Sequence, residues 1–439
     1  MIVCLGWRSQ KSGSLCSCKR KAEKDWTFLS RQNIFVHIIQ HKMRSLISMK
    51  LFLLAGLISA ILPCCTPSNS EIKHVLVRDT VVQNDTIALL FDPKEAARKT
   101  NQLDTFFQSM CRSGFNGTVL VAEYGKVIYQ KAFGYADFQK KDSLTTQTAF
   151  QLASVSKQFT AMAVMMLKER GKLDYEDSVQ QFYPHFPYQG ITIRQLLTHR
   201  SGLPNYTYLC DKYTDRKKPI SNQEVVELLT QFKPDPYYSP NTHFDYSNTG
   251  YCLLAAIVEK ASGMAFEDFL QANIFQPLEM NHTLVNNKAK GPVIPNKATG
   301  YTAGRRRYEE TYLNGVVGDK GVYSTVEDLF KWDMALYSQK LVKTATLEEA
   351  FTPAHKEPRE NNYGFGWRIK TPRDSEPIIF HGGWWQGFNA YIMHGRKDHS
   401  AIILLSNITN GSLNRIKDLQ AILHPGKTVQ PAMIVKTSR

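Results

Sequence analysis

GTVLVAEYGKVIYQKAFGYAD, Gly117 to Asp137, alternates around a turn at Tyr124-Gly125-Lys126. A period of two on both sides of a short glycine-bearing turn predicts a β-hairpin. Comparable strand patterns return only near the other end of the chain, in YGFGWRIK (Tyr363 to Lys370), PIIFHGG (Pro377 to Gly383), FNAYIMHG (Phe388 to Gly395) and SAIILLSN (Ser400 to Asn407). Between about Leu173 and Leu341 the patterns are mostly helical and are broken by Pro- and Gly-rich loops. Strands at both ends around a helical middle imply one mixed sheet built from N- and C-terminal segments, with an α-domain inserted.

Helices border these strands. LDTFFQSM places Leu103, Phe106, Phe107 and Met110 at helical spacing, so the globular part starts near residue 95. The segment from Ala161 to Leu167 is apolar on nearly every side and stops at Gly171, as a core helix does. SLNRIKDLQAIL, Ser412 to Leu423, closes the domain as a helix, which leaves 426–439 as a tail.

At 439 residues and 43% hydrophobic, the chain can bury one large core or two modest ones. Its net charge of +15 is concentrated at the front: residues 1–65 carry +8, and the +7 that remains contains no long basic run. That distribution argues against a nucleic-acid surface.

MRSLISMK (Met43 to Lys50) followed by LFLLAGLISAIL (Leu51 to Leu62) has the basic start and short apolar core of an export signal. Residues 43–65 are read as that signal, 1–42 as an over-extended reading frame starting before Met43 or Met49, and 66–94 as a polar tether. Cys64 or Cys65 is the candidate lipid acceptor after cleavage, although Pro63 and Cys64 match a lipoprotein cleavage site poorly. The expected location is extracytoplasmic, periplasmic or at the cell surface, with lipid anchoring left open.

Cys111, Cys210 and Cys252 in the folded part are too few and too widely spaced for a disulfide framework or a metal site and read as buried thiols. His37 and His41 have the spacing of a zinc helix but lack its glutamate, and they lie in the doubtful extension.

Ser154-Val155-Ser156-Lys157 opens the apolar helix. Ser-x-x-Lys puts a lysine one turn after a serine on the same face, and a serine hydroxyl needs such a base in contact to become a nucleophile. The copy at Ser70 to Lys73 lies in the tether, where nothing can desolvate the lysine. Ser156 should point away from Ser154, about 200° around the helix. Tyr246-Ser247-Asn248 precedes the helical pattern TGYCLLAAIVEKASG and is thereby anchored, whereas Tyr312-Leu313-Asn314 sits in a Gly-rich loop and reads as ordinary loop.

SVSK, FDYSN, LLTHRSGLP (Leu196 to Pro204) and HGG (His381 to Gly383), together with YGFGW, resemble the serine β-lactamase and DD-peptidase superfamily, on the side of class C β-lactamases and their esterase and peptidase relatives. The likeness spans about residues 100 to 425. It implies an α+β fold with a mainly antiparallel sheet flanked by helices and an inserted all-α domain, here residues 95–425. It also implies that Ser154 is acylated and that Lys157 and Tyr246 share general-base and general-acid work. Asn248 would orient Lys157 or the substrate, and the backbone N–H groups of Ser154 and Trp384 would form the oxyanion hole. His381 and Gly383 belong to the substrate-binding strand. No cofactor and no metal is implied.

Penicillin-recognising members have Lys-Thr-Gly or Lys-Ser-Gly where this chain has His381-Gly382-Gly383. A mostly neutral histidine deprives a β-lactam carboxylate of a charge-assisted hydrogen bond worth about 1.5–3 kcal/mol. The expected activity is therefore that of a serine hydrolase acting on a small ester or a D-amino-acid peptide. The alternatives are a class C β-lactamase, a cell-wall DD-peptidase, or a non-catalytic receptor for cell-wall fragments. Asn241 and Lys320 stand where many relatives have glycine; both read as loop tolerance, with anion recognition at the cleft as the alternative for Lys320. His199 and His394 read as a hydrogen-bonded loop histidine and a turn histidine, since no Gly-x-Ser-x-Gly elbow exists to give them a serine. Trp384, Trp385, Tyr206, Tyr208 and Tyr213 are candidates to line a substrate pocket.

Overall fold

The computed structural model describes residues 86–287, 294–355, 361–371 and 376–425. The export segment, His37 and His41, the second Ser-x-x-Lys at Ser70 and the C-terminal tail lie outside the described residues.

Helix α1 (Pro93–Arg112) begins with proline in its first turn, and the Asp92 carboxylate accepts from the Lys94 N–H at 2.9 Å. Fixed φ and a side-chain cap are what a helix start requires. The predicted hairpin follows as β1 (Gly117–Glu123) and β2 (Lys126–Phe133), turned by Tyr124 and Gly125 in the left-handed region. The helical middle includes α2 (Lys157–Glu169), α3 (Asn222–Phe232), α4 (Asn248–Ser262) and α5 (Val326–Ala335). Strands β3 (Asn361–Tyr363), β4 (Arg368–Lys370), β5 (Ile378–Trp385), β6 (Phe388–Gly395) and β7 (Ser400–Ser406) then lead to helix α6 (Ile416–Leu423).

Among the described residues seven strands form one sheet in the order β2-β1-β7-β6-β5-β4-β3. Chain ends do meet in it: β1 pairs with β7 from Gly117 opposite Ser406 to Ala122 opposite Ala401. The mixed sheet expected from the sequence is antiparallel throughout, because each strand pairs with a neighbour running the other way.

Period-two alternation divides the core. Val119, Val121, Ile402 and Leu404 face α1 and α6, where Phe107 and Leu419 pack. Leu120, Ala122, Ile403 and Leu405 face the other way, into the larger core with α2 and α4. Each such side chain buried is worth about 1.5–3 kcal/mol, so the alternation fixes which face of the sheet the helical part covers.

Three local expectations are corrected. YGFGWRIK is two strands, because Gly366 turns the chain at φ +81° and rests so close to α2 that a Cβ there would lie 2.9 Å from the Lys157 carbonyl oxygen. The middle also contains strand: Phe150–Gln151 and Leu284–Val285 flank Val322–Ser324. His394 belongs to β6 and not to a turn, and it is buried with Nδ1 2.9 Å from the Asp333 carboxylate. No described helix is long and apolar enough to cross a membrane.

Candidate active site

Ser154 lies in a single 3-10 turn, Ala153–Ser156, that runs into α2. Ala153 is held at φ +49°, a conformation that costs a residue with a Cβ and survives only where its surroundings impose it. Here β5 imposes it. A Cβ on Gly383 would lie 2.2 Å from the Leu152 carbonyl oxygen and 3.0 Å from the Ser154 nitrogen, so only glycine admits the strand this close to the serine. Ser156 does face away: its buried hydroxyl accepts from the Val322 N–H at 3.1 Å.

Lys157 is completely buried. Its ammonium donates to Ser154 Oγ at 3.1 Å, to Asn248 Oδ1 at 2.8 Å and to the Asp319 carbonyl at 2.9 Å. All three protons are thereby used, and among the described residues no carboxylate pairs with the charge. It also lies over the ring faces of Tyr246, at 4.9 Å, and Tyr251, at 5.5 Å.

Tyr246 and Asn248 come from the segment that enters α4, whose first turn is capped by Ser247 Oγ accepting from the Gly250 N–H at 3.2 Å. Behind the segment stands His199. Its Nδ1 accepts the Ser247 N–H at 3.0 Å and its ring packs 4.3 Å from that of Tyr246. Accepting at Nδ1 puts the ring proton on Nε2, which is buried without a partner. Burial first, then the cations Lys157 and Arg368, hold its pKa well below the ordinary imidazole value. The Tyr246 hydroxyl is also buried and unpartnered.

His381 is fully buried beside them. Nδ1 donates to the Gly382 carbonyl at 2.7 Å, which leaves Nε2 to accept from the Tyr363 hydroxyl at 2.9 Å. Burial and the cations Arg368 and Lys157 keep it neutral. With both nitrogens engaged, the side chain presents neither charge nor a free hydrogen bond to a ligand.

The cation that the sequence reading did not anticipate is Arg368. The turn at Gly364 to Gly366 brings its guanidinium 4.8 Å from the centroid of Tyr246, on a half-buried side chain with no hydrogen bond or ion pair among the described residues. Only its place directly after YGFGW could have pointed to it.

Of the other candidates, Trp384 leaves Gly383 with its indole about half in solvent. Lys320 is neither a tolerated loop residue nor an anion receptor at the cleft: it is 3% exposed and its ammonium is paired with Asp319 at 3.3 Å. Tyr206 is buried, while Tyr208 is exposed and Tyr213 stacks on Phe232. Asn314 is more than loop, since its Oδ1 accepts from Trp385 Nε1 at 2.8 Å. Asn241 adopts φ +65°, which explains why glycine suits that position, and is gripped by Arg200. Cys210 and Cys252 are free buried thiols, the first pushed up by burial to about 12.

A family model described as Beta-lactamase matches residues 104–426, which carry every side chain just placed. The chain belongs to the beta-lactamase family. It is 41% identical over 324 residues to penicillin-binding protein 4* of Bacillus subtilis, covering 70% of this chain and 72% of that protein. Among solved structures, the octameric penicillin-binding protein homologue from Pyrococcus abyssi superposes with a TM-score of 0.62 at 27% identity, covering 71% of this chain and 74% of that one. D-amino acid amidase from Ochrobactrum anthropi SV3, complexed with L-phenylalanine, gives 0.62 at 25% identity over 73% and 98%. The beta-lactamase-family chain is accordingly a serine hydrolase with an α+β fold.

Proposed function

We propose that the protein is an exported acyl-transfer hydrolase in which Ser154 is acylated and then released by water. The observation that carries this reading is the contact of one buried ammonium, Lys157 Nζ, with both Ser154 Oγ and Asn248 Oδ1. With the Asp319 carbonyl, three separate segments converge on that nitrogen. In acylation the Lys157–Tyr246 pair acts in the form that has lost one proton, as the Lys157 free amine or the Tyr246 phenolate. It takes the serine proton as Oγ attacks the carbonyl carbon and gives it to the departing alkoxide or amine. The Ser154 and Trp384 N–H groups receive the oxyanion, and the approach permitted by Gly383 supports that assignment. Asn248 orients Lys157. The orphaned Tyr246 hydroxyl gains its missing partner when substrate arrives.

The substrate is an ester or amide, and Arg368 favours one that carries a carboxylate; the likeness to D-amino acid amidase favours a D-amino-acid peptide as that substrate. The lysine of the penicillin-recognising third motif is replaced by a neutral, fully engaged His381. A second positive charge without an ion pair among the described residues stands at Arg368 instead, beside the tyrosine. Export rests on Met43 to Leu62, and attachment through Cys64 or Cys65 is the anchored form of the same proposal.

A chromogenic ester, a cephalosporin and a D-alanyl-D-alanine peptide assayed in parallel test the reading. Turnover of the ester and the peptide that disappears in Ser154→Ala and persists in Ser70→Ala is the expected result. Cephalosporin hydrolysis faster than both would overturn the weight placed on His381, and a single burst without turnover would favour a receptor for cell-wall fragments.

A further inference from the structure

The segment from Gly318 to Val322 touches α2 and the 3-10 turn before it at three points. The Asp319 carbonyl accepts from Lys157, the Gly318 carbonyl accepts from Thr160 Oγ1 at 2.7 Å, and the Val322 N–H donates to Ser156 Oγ. Gly318 and Gly321 sit at φ +96° and φ +103° on either side of the Asp319-Lys320 peptide, conformations that favour glycine. The turn between them is closed by the Gly318 N–H donating to the Lys320 carbonyl at 3.0 Å, and the Gly321 carbonyl accepts from the Asn286 N–H at 2.8 Å.

A side-chain ring on the far side of the segment adds to these backbone bonds. Lys320 Nζ donates to Tyr206 Oη at 2.8 Å and lies 3.3 Å from Asp319 Oδ1, while the Tyr206 hydroxyl donates to Asp319 Oδ2 at 3.0 Å. The three side chains close a ring, and both charged members are about 4% exposed. The same ammonium stands 5.1 Å over the ring of Trp385, two residues beyond Gly383 on β5. Tyr206 is fixed in turn to α4, since its N–H donates to Thr249 Oγ1 at 2.9 Å.

We infer that Lys320 is a positioning residue for acyl transfer: through Asp319 and Tyr206 it fixes the main-chain carbonyl that receives Lys157, and through Trp385 it ties that carbonyl to the strand carrying Gly383. Lys320 does not touch substrate. It acts by keeping the Lys157 ammonium pointed at Ser154 Oγ rather than free to swing. This inference rests on the assignment of Ser154 and Lys157 above.

The test is steady-state and single-turnover hydrolysis of a chromogenic ester by the full chain, with melting curves alongside. Lys320→Met keeps the length of the side chain and removes its donors. A misplacement approaching 1 Å at the reacting atoms lowers kcat by about ten- to a hundredfold, and KM is expected to stay within about twofold because no substrate contact is lost. Lys320→Arg, which restores charge and donors, is expected to recover most of the rate. Tyr206→Phe breaks the same ring without removing a charge and should lower kcat in the same way, which keeps the test decisive if Lys320→Met does not fold. Folded Lys320→Met or Tyr206→Phe with the parent kcat, or with kcat lowered by no more than the unfolded fraction read from the melting curves, would overturn the inference. Full activity in Ser154→Ala would instead remove the assignment beneath it, whereas an inactive Ser154→Ala beside unaffected Lys320→Met and Tyr206→Phe would refute the positioning role alone.

Discussion

Gly383→Ala is the most direct physical perturbation of the site. The added Cβ would lie 2.2 Å from the Leu152 carbonyl oxygen, 3.0 Å from the Ser154 nitrogen and 3.1 Å from the Ala153 Cβ. Ordinary contact for a carbon and an oxygen begins more than 1 Å farther out, so β5 and the Ser154 turn must separate by about that much. A displacement of about 1 Å at reacting atoms costs about a hundredfold in rate, or about 2.7 kcal/mol of barrier. Overpacking adds about 1–3 kcal/mol of lost stability. Gly382→Ala is the internal control: one residue away, its Cβ would meet only the Ala390 carbonyl oxygen, at 3.8 Å. Burst kinetics with a chromogenic ester, read beside a denaturant titration, separate the two costs. The expected result is acylation slowed about a hundredfold in Gly383→Ala and unchanged in Gly382→Ala. Equal rates in the two variants would refute the claim that the approach of β5 to Ser154 shapes the site.

Arg368→Gln should raise KM by about tenfold or more for a peptide ending in a carboxylate, the worth of one charge-assisted hydrogen bond, and leave a neutral ester unaffected. Equal damage to both substrates would show that Arg368 only packs against Tyr246. A denaturant titration against pH tests the buried imidazoles. His199 and His381 are held well below about 6.5, the ordinary value, so the unfolded chain binds protons below that pH which the folded chain refuses. Their contribution is therefore present above about pH 6.5 and is lost as pH falls, by up to about 1.4 kcal/mol per pH unit for each ring. Asp333, whose buried carboxyl is pushed up, has the opposite sign closer to the carboxylate range. Stability that rises between pH 6.5 and 5 would contradict the assignment of neutral histidines.

Much of this was legible because it depends on local pattern. Alternation at Gly117 to Asp137 and Ser400 to Asn407 gives strands wherever one face is buried, and those two segments are hydrogen-bonded neighbours. The Ser154–Lys157 contact follows from helical spacing at the start of an apolar helix. What escaped depends on partners distant in sequence or on backbone that turns sharply. Lys320 looks like a surface residue until Tyr206, more than a hundred residues earlier, closes around it. Arg368 lies on a strand pattern, and nothing local says that Gly366 will fold the chain so that the guanidinium meets Tyr246. His199 was legible as a hydrogen-bonded loop residue, but that it braces Tyr246 depends on its φ of +58° and on Ser247.

The central claim is that Ser154 becomes acylated under the influence of Lys157. Mass spectrometry of the protein quenched during turnover of a slowly released ester, followed by peptide mapping, tests it most directly. One acyl group on Ser154, none on Ser156, and none anywhere in Lys157→Met is the predicted result. An adduct on another residue, or an undiminished adduct in Lys157→Met, would contradict it.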